Sequence, residues 1–325
     1  MTKYVLHAPS HQIITSGKVR EDIVTIAHEI GYQKMEVTDV LNNEFYSGDI
    51  VLYPFPSDRG TEEIDYERIL HLKKQGVKIS VITLNVDYLR YHEANREIII
   101  KSLNTADVML TLTIPMMNAL HADGVVTDAL IVGLHDYLVP KPQKPAEFKR
   151  EVVVAGSPYK ASYIQNWPNQ TPLHIYARES DMQGYELKGN VNYLGYINPN
   201  EINEQDHFGF GLAFDMDSQA GEFDAYQEIN LSHKLSMYLA AGMPILIKSS
   251  AAASTIITTF GAGIKIDSVD EIDEVMANIT PEQYAKMAEN ANTLGEFIRQ
   301  GAYYKYAITL GEEQIDAFER FKNDW

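Results

Sequence analysis

Ser232, His233 and Lys234 stand at the head of an apolar run that ends in Gly242 and Pro244, and residues arranged in this way can hold an anion. Ser232 is of the type that precedes a helix, Lys234 adds positive charge in the first turn, and Leu235, Tyr238 and Leu239 recur at helical spacing. Gly242 stops that helix, and Pro244 opens an Ile-Leu-Ile strand. A helix start presents N–H groups that lack intrahelical acceptors, together with a partial positive charge. A pair of phosphates could therefore sit there, with Lys234 reaching an outer oxygen. The same pattern is also that of a capped helix packed on a sheet with no ligand.

Other candidates lie farther off. Thr15, Ser16 and Gly17 fall between the first strand and the first helix, where a backbone-rich loop can approach a phosphate, although no G-x-G-x-x-G fingerprint is present and a surface turn explains them as well. Arg178 closes a strand at its carboxyl end, where its planar fork can clamp a diphosphate or stack on a base, or pair with Glu179 or Asp181 in solvent. Asp215 and Asp217, one residue apart, resemble a metal-holding pair. Such spacing is common in an acidic chain, however, and Lys234 can neutralise phosphate instead, so no metal is expected. His7, His11 and His207 lack zinc spacing and read as packed or surface histidines.

These residues need a scaffold, and composition bounds it. The chain has 325 residues, 45% of them hydrophobic, enough for two domains. A formal charge of −18 disfavours nucleic acid and anionic membrane as partners, so any phosphate site must be local. With no cysteine there is no disulfide, thiolate metal site or cysteine nucleophile. No apolar run is long enough to cross a membrane and none reads as a signal peptide, so the expectation is a soluble, cytoplasmic protein.

Short β-rich runs alternate with helical patterns, the signature of strand-helix-strand units and mostly parallel sheets. In the first half, strands are predicted at 4–7, 50–53, 78–84 and 107–112, with helices at 21–30, 63–75, 94–101 and 115–123. Three prolines and two lysines in 138–145 mark a linker, and a new strand begins at 151. Further strands follow at 173–177, 191–194, 209–214, 244–247 and 263–266, with helices at 232–241, 251–260, 269–277 and 281–300. Domains are accordingly expected at 1–145 and 146–303, and the last segment, 304–325, can return to pack on the first. In sheets of this kind ligands bind beyond the carboxyl ends of the strands, and two such halves suggest a cleft between them.

With these pieces in place, the chain resembles glycosyltransferases of the GT-B architecture, an α/β fold of two Rossmann-like domains whose parallel sheets face across a cleft. More narrowly, it is similar to the third glycosyltransferase of the serine-rich-repeat adhesin pathway and to related bacterial galactofuranosyltransferases. The resemblance rests on VVVAGSPYK from Val152 to Lys160, FGFGLAFD from Phe208 to Asp215, HKLSMYLAAGMP from His233 to Pro244, and GIKIDSVDEI from Gly263 to Ile272. It is looser through DIVLYPFP from Asp49 to Pro56 and through residues 103–110.

The resemblance implies a UDP-sugar donor bound mainly by the second domain and an acceptor on the first, with Ser16, Gly17, Arg178, Asp215, Ser232, His233, Lys234, Leu235 and Ser236 around the nucleotide sugar. It implies transfer of a hexose, glucose above all, to a GlcNAc-modified serine-rich-repeat protein, without a metal and by a homo-oligomer. Alternatives are a capsular or exopolysaccharide galactofuranosyl transfer, and a non-catalytic UDP-sugar-binding partner of another transferase. Two departures from the family pattern stand out. Leu231-Ser232 replaces Asn-Pro before the His-Lys pair, where serine can still cap. Leu84-Asn85 replaces His-Asp after the fourth strand, which leaves the catalytic base unassigned and makes Asp87 the nearest substitute.

Overall fold

A computed structural model describes residues 1–8, 17–90, 95–139, 144–204, 206–216 and 222–323. The chain divides into two compact units, one formed by Met1–Asp136 together with the chain from Gly301 on, the other by Tyr137–Gln300.

The first unit runs β1 (Lys3–His7), α1 (Gly17–Glu29), β2 (Gln33–Glu36), β3 (Ile50–Phe55), α2 (Glu62–Lys74), β4 (Lys78–Thr83), α3 (Arg96–Thr105), β5 (Val108–Thr111), α4 (Ile114–Ala122) and β6 (Ala129–Ile131). Its strands pair in parallel in the order β2-β1-β3-β4-β5-β6. β3 and β5 are buried at every residue, as expected of central parallel strands covered on both faces. β2 and β6 have no counterpart in the sequence reading. Both are edge strands with no fully buried residue; β2 is largely polar, and the apolar run of β6 is only three residues long.

The second unit contains β7 (Glu147–Ala155), β8 (Leu173–Tyr176), β9 (Val191–Gly195), β10 (Phe208–Ala213), α5 (Glu222–Tyr226), α6 (His233–Ala240), β11 (Ile245–Lys248), α7 (Ser254–Thr259), β12 (Gly263–Ile266), α8 (Ile272–Asn278) and α9 (Pro281–Arg299). Its parallel sheet is ordered β12-β11-β10-β7-β8-β9. Counted from β7, this is the doubly wound 3-2-1-4-5-6 arrangement, whose strand order reverses between β7 and β10. The core gathers Val152, Val154, Leu173, Ile175, Phe210, Leu212 and Leu246 from the strands with Tyr163, Trp167, Ile272 and Tyr284 from the layers above.

Local chemistry fixes α6 and the helix it rests on. Beyond α6, Gly242 has φ +68; its N–H donates to the Leu239 carbonyl, and the Met243 N–H to the Tyr238 carbonyl, both at 2.9 Å, closing a Schellman cap. α9 opens with Pro281 and a reciprocal capping box between Thr280 and Gln283. α6 and α9 approach so closely at Gly295 that a Cβ there would lie 2.1 Å from the Leu239 carbonyl oxygen.

The last helix, α10 (Ala302–Asn323), packs on β4, β5 and β6 and beside α1, within the first unit. Its start is capped by the fully buried carboxyl group of Asp136, which accepts the N–H groups of Tyr303 at 3.3 Å and Tyr304 at 2.7 Å. Loss of hydration pushes the Asp136 pKa up to about 7 despite those two bonds. Among the described residues no helix is long and apolar enough to cross a membrane.

Candidate functional site

Where strand order reverses in an open parallel sheet, the loops after the two flanking strands part and leave a crevice at their carboxyl ends. In the second unit those strands are β7 and β10, and three chain segments meet beyond them.

The first segment follows β7. Gly156 has φ +111, a conformation costly for any residue with a Cβ, and its N–H donates to the Tyr176 carbonyl at 3.0 Å. Ser157, Pro158, Tyr159 and Lys160 come next, with the Lys160 ammonium 4.7 Å from the centroid of the Phe223 ring. The second segment follows β10. The Met216 N–H donates to the Lys160 carbonyl and the Ser162 N–H to the Met216 carbonyl, both at 2.9 Å, so the two loops are stitched together. Gln227 fixes Asp215 between them: its amide oxygen accepts the Asp215 N–H at 3.1 Å and its amide nitrogen donates to the Asp215 carbonyl at 2.7 Å.

The third segment is the start of α6. Lys234 pairs through Nζ with a carboxylate oxygen of Asp215, and both side chains are largely buried. The two residues that sequence reading treated separately, Lys234 as the cation of the helix start and Asp215 as one of an Asp-x-Asp pair, thus form one unit. Ser232 occupies the N-cap position in extended conformation, but its hydroxyl makes no capping bond to the first turn, contrary to the expected serine cap. His233 lies against the Tyr137 ring at 4.8 Å between centroids. Leu235 is buried, and Ser236 is buried with no partner for its hydroxyl among the described residues.

The remaining candidates are dispersed. Arg178 follows β8, the strand next to β7; it is exposed, and its guanidinium carbon lies 5.8 Å from the centroid of the Tyr196 ring. Gly17 opens α1 in the first unit, while Thr15, Ser16, His11 and Asp217 fall outside the described residues. His7 ends β1, and His207 is largely buried with Nε2 2.5 Å from the Ile202 carbonyl oxygen. Leu84 is buried beyond β4, and Asp87 is buried nearby with its pKa raised by desolvation, opposed by Arg90, Arg59 and Arg20. Sequence reasoning missed Gln227, Tyr137 and the ligand-like position of the Gly156 turn. The last had a visible signal in Ala-Gly-Ser-Pro at a strand end.

Comparison with known proteins assigns the chain. A family model described as the N-terminal domain of Glucosyltransferase 3-like proteins matches residues 3–134, and the corresponding C-terminal domain model matches 152–310. The chain belongs to the Glucosyltransferase 3-like family. It is a glycosyltransferase of GT-B fold. It is 28% identical over 266 residues to Glucosyltransferase 3 of Streptococcus gordonii, covering 80% of this chain and 78% of that protein. Against Glucosyltransferase 3 of Streptococcus parasanguinis it is 25% identical over 332 residues, covering 95% and 97%. It is also 30% identical over 200 residues to the β-1,6-galactofuranosyltransferase WbbI of Escherichia coli K12, covering 57% and 56%. Among solved structures, Anabaena HepE in complex with UDP superposes with a TM-score of 0.60 at 10% identity, over 96% of this chain and all of that one.

Proposed function

We propose that this glycosyltransferase uses a UDP-sugar, with glucose as the transferred hexose and a GlcNAc-modified serine-rich-repeat protein as acceptor. The observation that carries the donor assignment is the convergence of the α6 start, the Lys234–Asp215 pair and the Gly156 turn at the strand-order reversal of the second unit. Breaking the sugar-phosphate bond leaves UDP with additional negative charge. N–H groups and a cation already held in place stabilise that charge more than they stabilise the intact donor. The helix start and Lys234 supply this field, and Arg178 is the second cation in the assignment. Membership of the Glucosyltransferase 3-like family and the named streptococcal relatives support a glucosyl donor, and the adhesin acceptor rests on the resemblance set out from the sequence motifs.

Asp215 accepts the Lys234 ammonium, so its carboxylate is already neutralised by a protein cation, and we assign it no metal. We place the reaction in the cytoplasm and expect a homo-oligomer, which light scattering of the purified protein would reveal.

The deciding experiment incubates the enzyme with labelled UDP-glucose and UDP-galactose, offering GlcNAc-modified adhesin in one arm and lipid-linked glycan in the other. Label on the adhesin from UDP-glucose is expected; label confined to the lipid-linked glycan would refute the acceptor assignment. Similarity to the galactofuranosyltransferase of Escherichia coli favours one second reading, furanosyl transfer to a surface glycan, and UDP-galactofuranose added to the lipid arm tests it.

A further inference from the structure

Tyr238 has the spacing of an ordinary apolar position on α6, yet its hydroxyl does a specific job. The residue is 1% exposed, and the hydroxyl oxygen accepts the N–H of Ala155, the last residue of β7, at 2.8 Å. Its ring reaches that far because Gly211 of β10 carries no side chain: a Cβ there would fall 2.4 Å from the ring carbon Cγ of Tyr238. Burial raises the phenol pKa, so the group stays neutral.

Lys234 precedes Tyr238 by four residues, hence on the same face of α6. That face therefore holds the ends of both strands that flank the reversal, β10 through Lys234 and Asp215, β7 through Tyr238 and Ala155. The residue after Ala155 is Gly156, so whatever fixes the Ala155 N–H fixes where the turn begins.

We propose that Tyr238 is a positioning residue of the donor site: its hydroxyl sets the Gly156–Ser157 turn against the start of α6, so that the turn and the helix end meet the same diphosphate. The proposal rests on the donor-site reading above. Sub-ångström placement matters for a charged group held by several N–H donors, and a turn freed from α6 would lose part of that binding.

A matched control exists in the same unit. Tyr284 is equally buried, and its hydroxyl donates to the Gly209 carbonyl at 2.7 Å, near the opposite end of β10. Tyr238→Phe and Tyr284→Phe each remove one buried hydroxyl that bonds the backbone, so a purely structural role lowers the melting temperature in both and leaves UDP binding alike. The measurement is UDP affinity by calorimetry well below both melting points, with donor KM and kcat. Tyr238→Phe is expected to weaken UDP about tenfold and to raise donor KM more than it lowers kcat. Tyr284→Phe is expected to bind UDP like the unaltered protein. Equal affinities in the two variants would overturn the proposal. A second measurement needs no variant: in the unaltered protein, UDP should slow amide exchange at 155–157 together with 232–236, and protection confined to 232–236 would also overturn it. An unaltered protein that does not bind UDP would sink the donor-site reading itself, whereas tight UDP binding by Tyr238→Phe sinks this inference alone.

Discussion

Lys234 is already engaged with Asp215, and this decides how its removal behaves. A phosphate must share the ammonium with Asp215 or displace it, whereas the exposed Arg178 can swing to a ligand at little cost. Lys234→Ala and Arg178→Ala are each expected to weaken UDP binding by ~1–3 kcal/mol in calorimetry. Only the first should also destabilise the fold, by about 3 kcal/mol in urea unfolding, because it removes the ammonium paired with the buried Asp215 carboxylate. Unchanged UDP affinity in both variants would refute the placement. At this scale the sequence showed the charged actors but not their pairing, since residues 215 and 234 meet only once β10 and α6 are packed. Tyr238 was hidden for a similar reason: at helical spacing a tyrosine looks like core, and only the gap at Gly211 gives its hydroxyl a route to β7.

At the scale of elements, the central strands and the long helices were legible because burial on both faces, or along one stripe, writes a period into the sequence. The edge strands β2 and β6 were not, for Gln-Lys-Met-Glu has no apolar stripe and Ala-Leu-Ile, though apolar, is too short to set a period. Two elements invite direct tests. Gly295→Ala places a methyl group against the Leu239 carbonyl and should cost about 1–3 kcal/mol by prising α9 from α6, visible as a lower melting temperature. The cap on α10 makes stability depend on pH. Asp136 titrates near 7 when folded but near 3.8 when exposed, so the folded state binds the extra proton between those values. Its contribution is complete below about pH 4 and is lost as pH rises through 7. Urea unfolding of Asp136→Asn should accordingly show a shallower decline over that range than the unaltered protein; identical slopes would mean that the carboxyl group is ionised in the fold.

For the molecule as a whole, the chain carries a formal charge of −18 and yet is proposed to take a dianionic donor and release a more highly charged UDP, so the proposed site must rely on local donors: the α6 start, the Gly156 turn and Arg178. EDTA is therefore expected to leave transfer activity largely intact, and complete loss that manganese restores would reverse the metal-free assignment. The fold class was legible from alternating strands and helices, and the motif around His233 and Lys234 pointed to the family. The sequence also let the last segment, 304–325, return to the first unit, and the structure groups the chain from Gly301 on with it. The second is built from one uninterrupted stretch, Tyr137–Gln300, whereas the first includes α10, which is made only after the whole of the second. Synthesis thus runs against the usual order in which the amino-terminal domain folds first. The second unit can be complete while the first still waits on the ribosome for the helix that covers β4, β5 and β6.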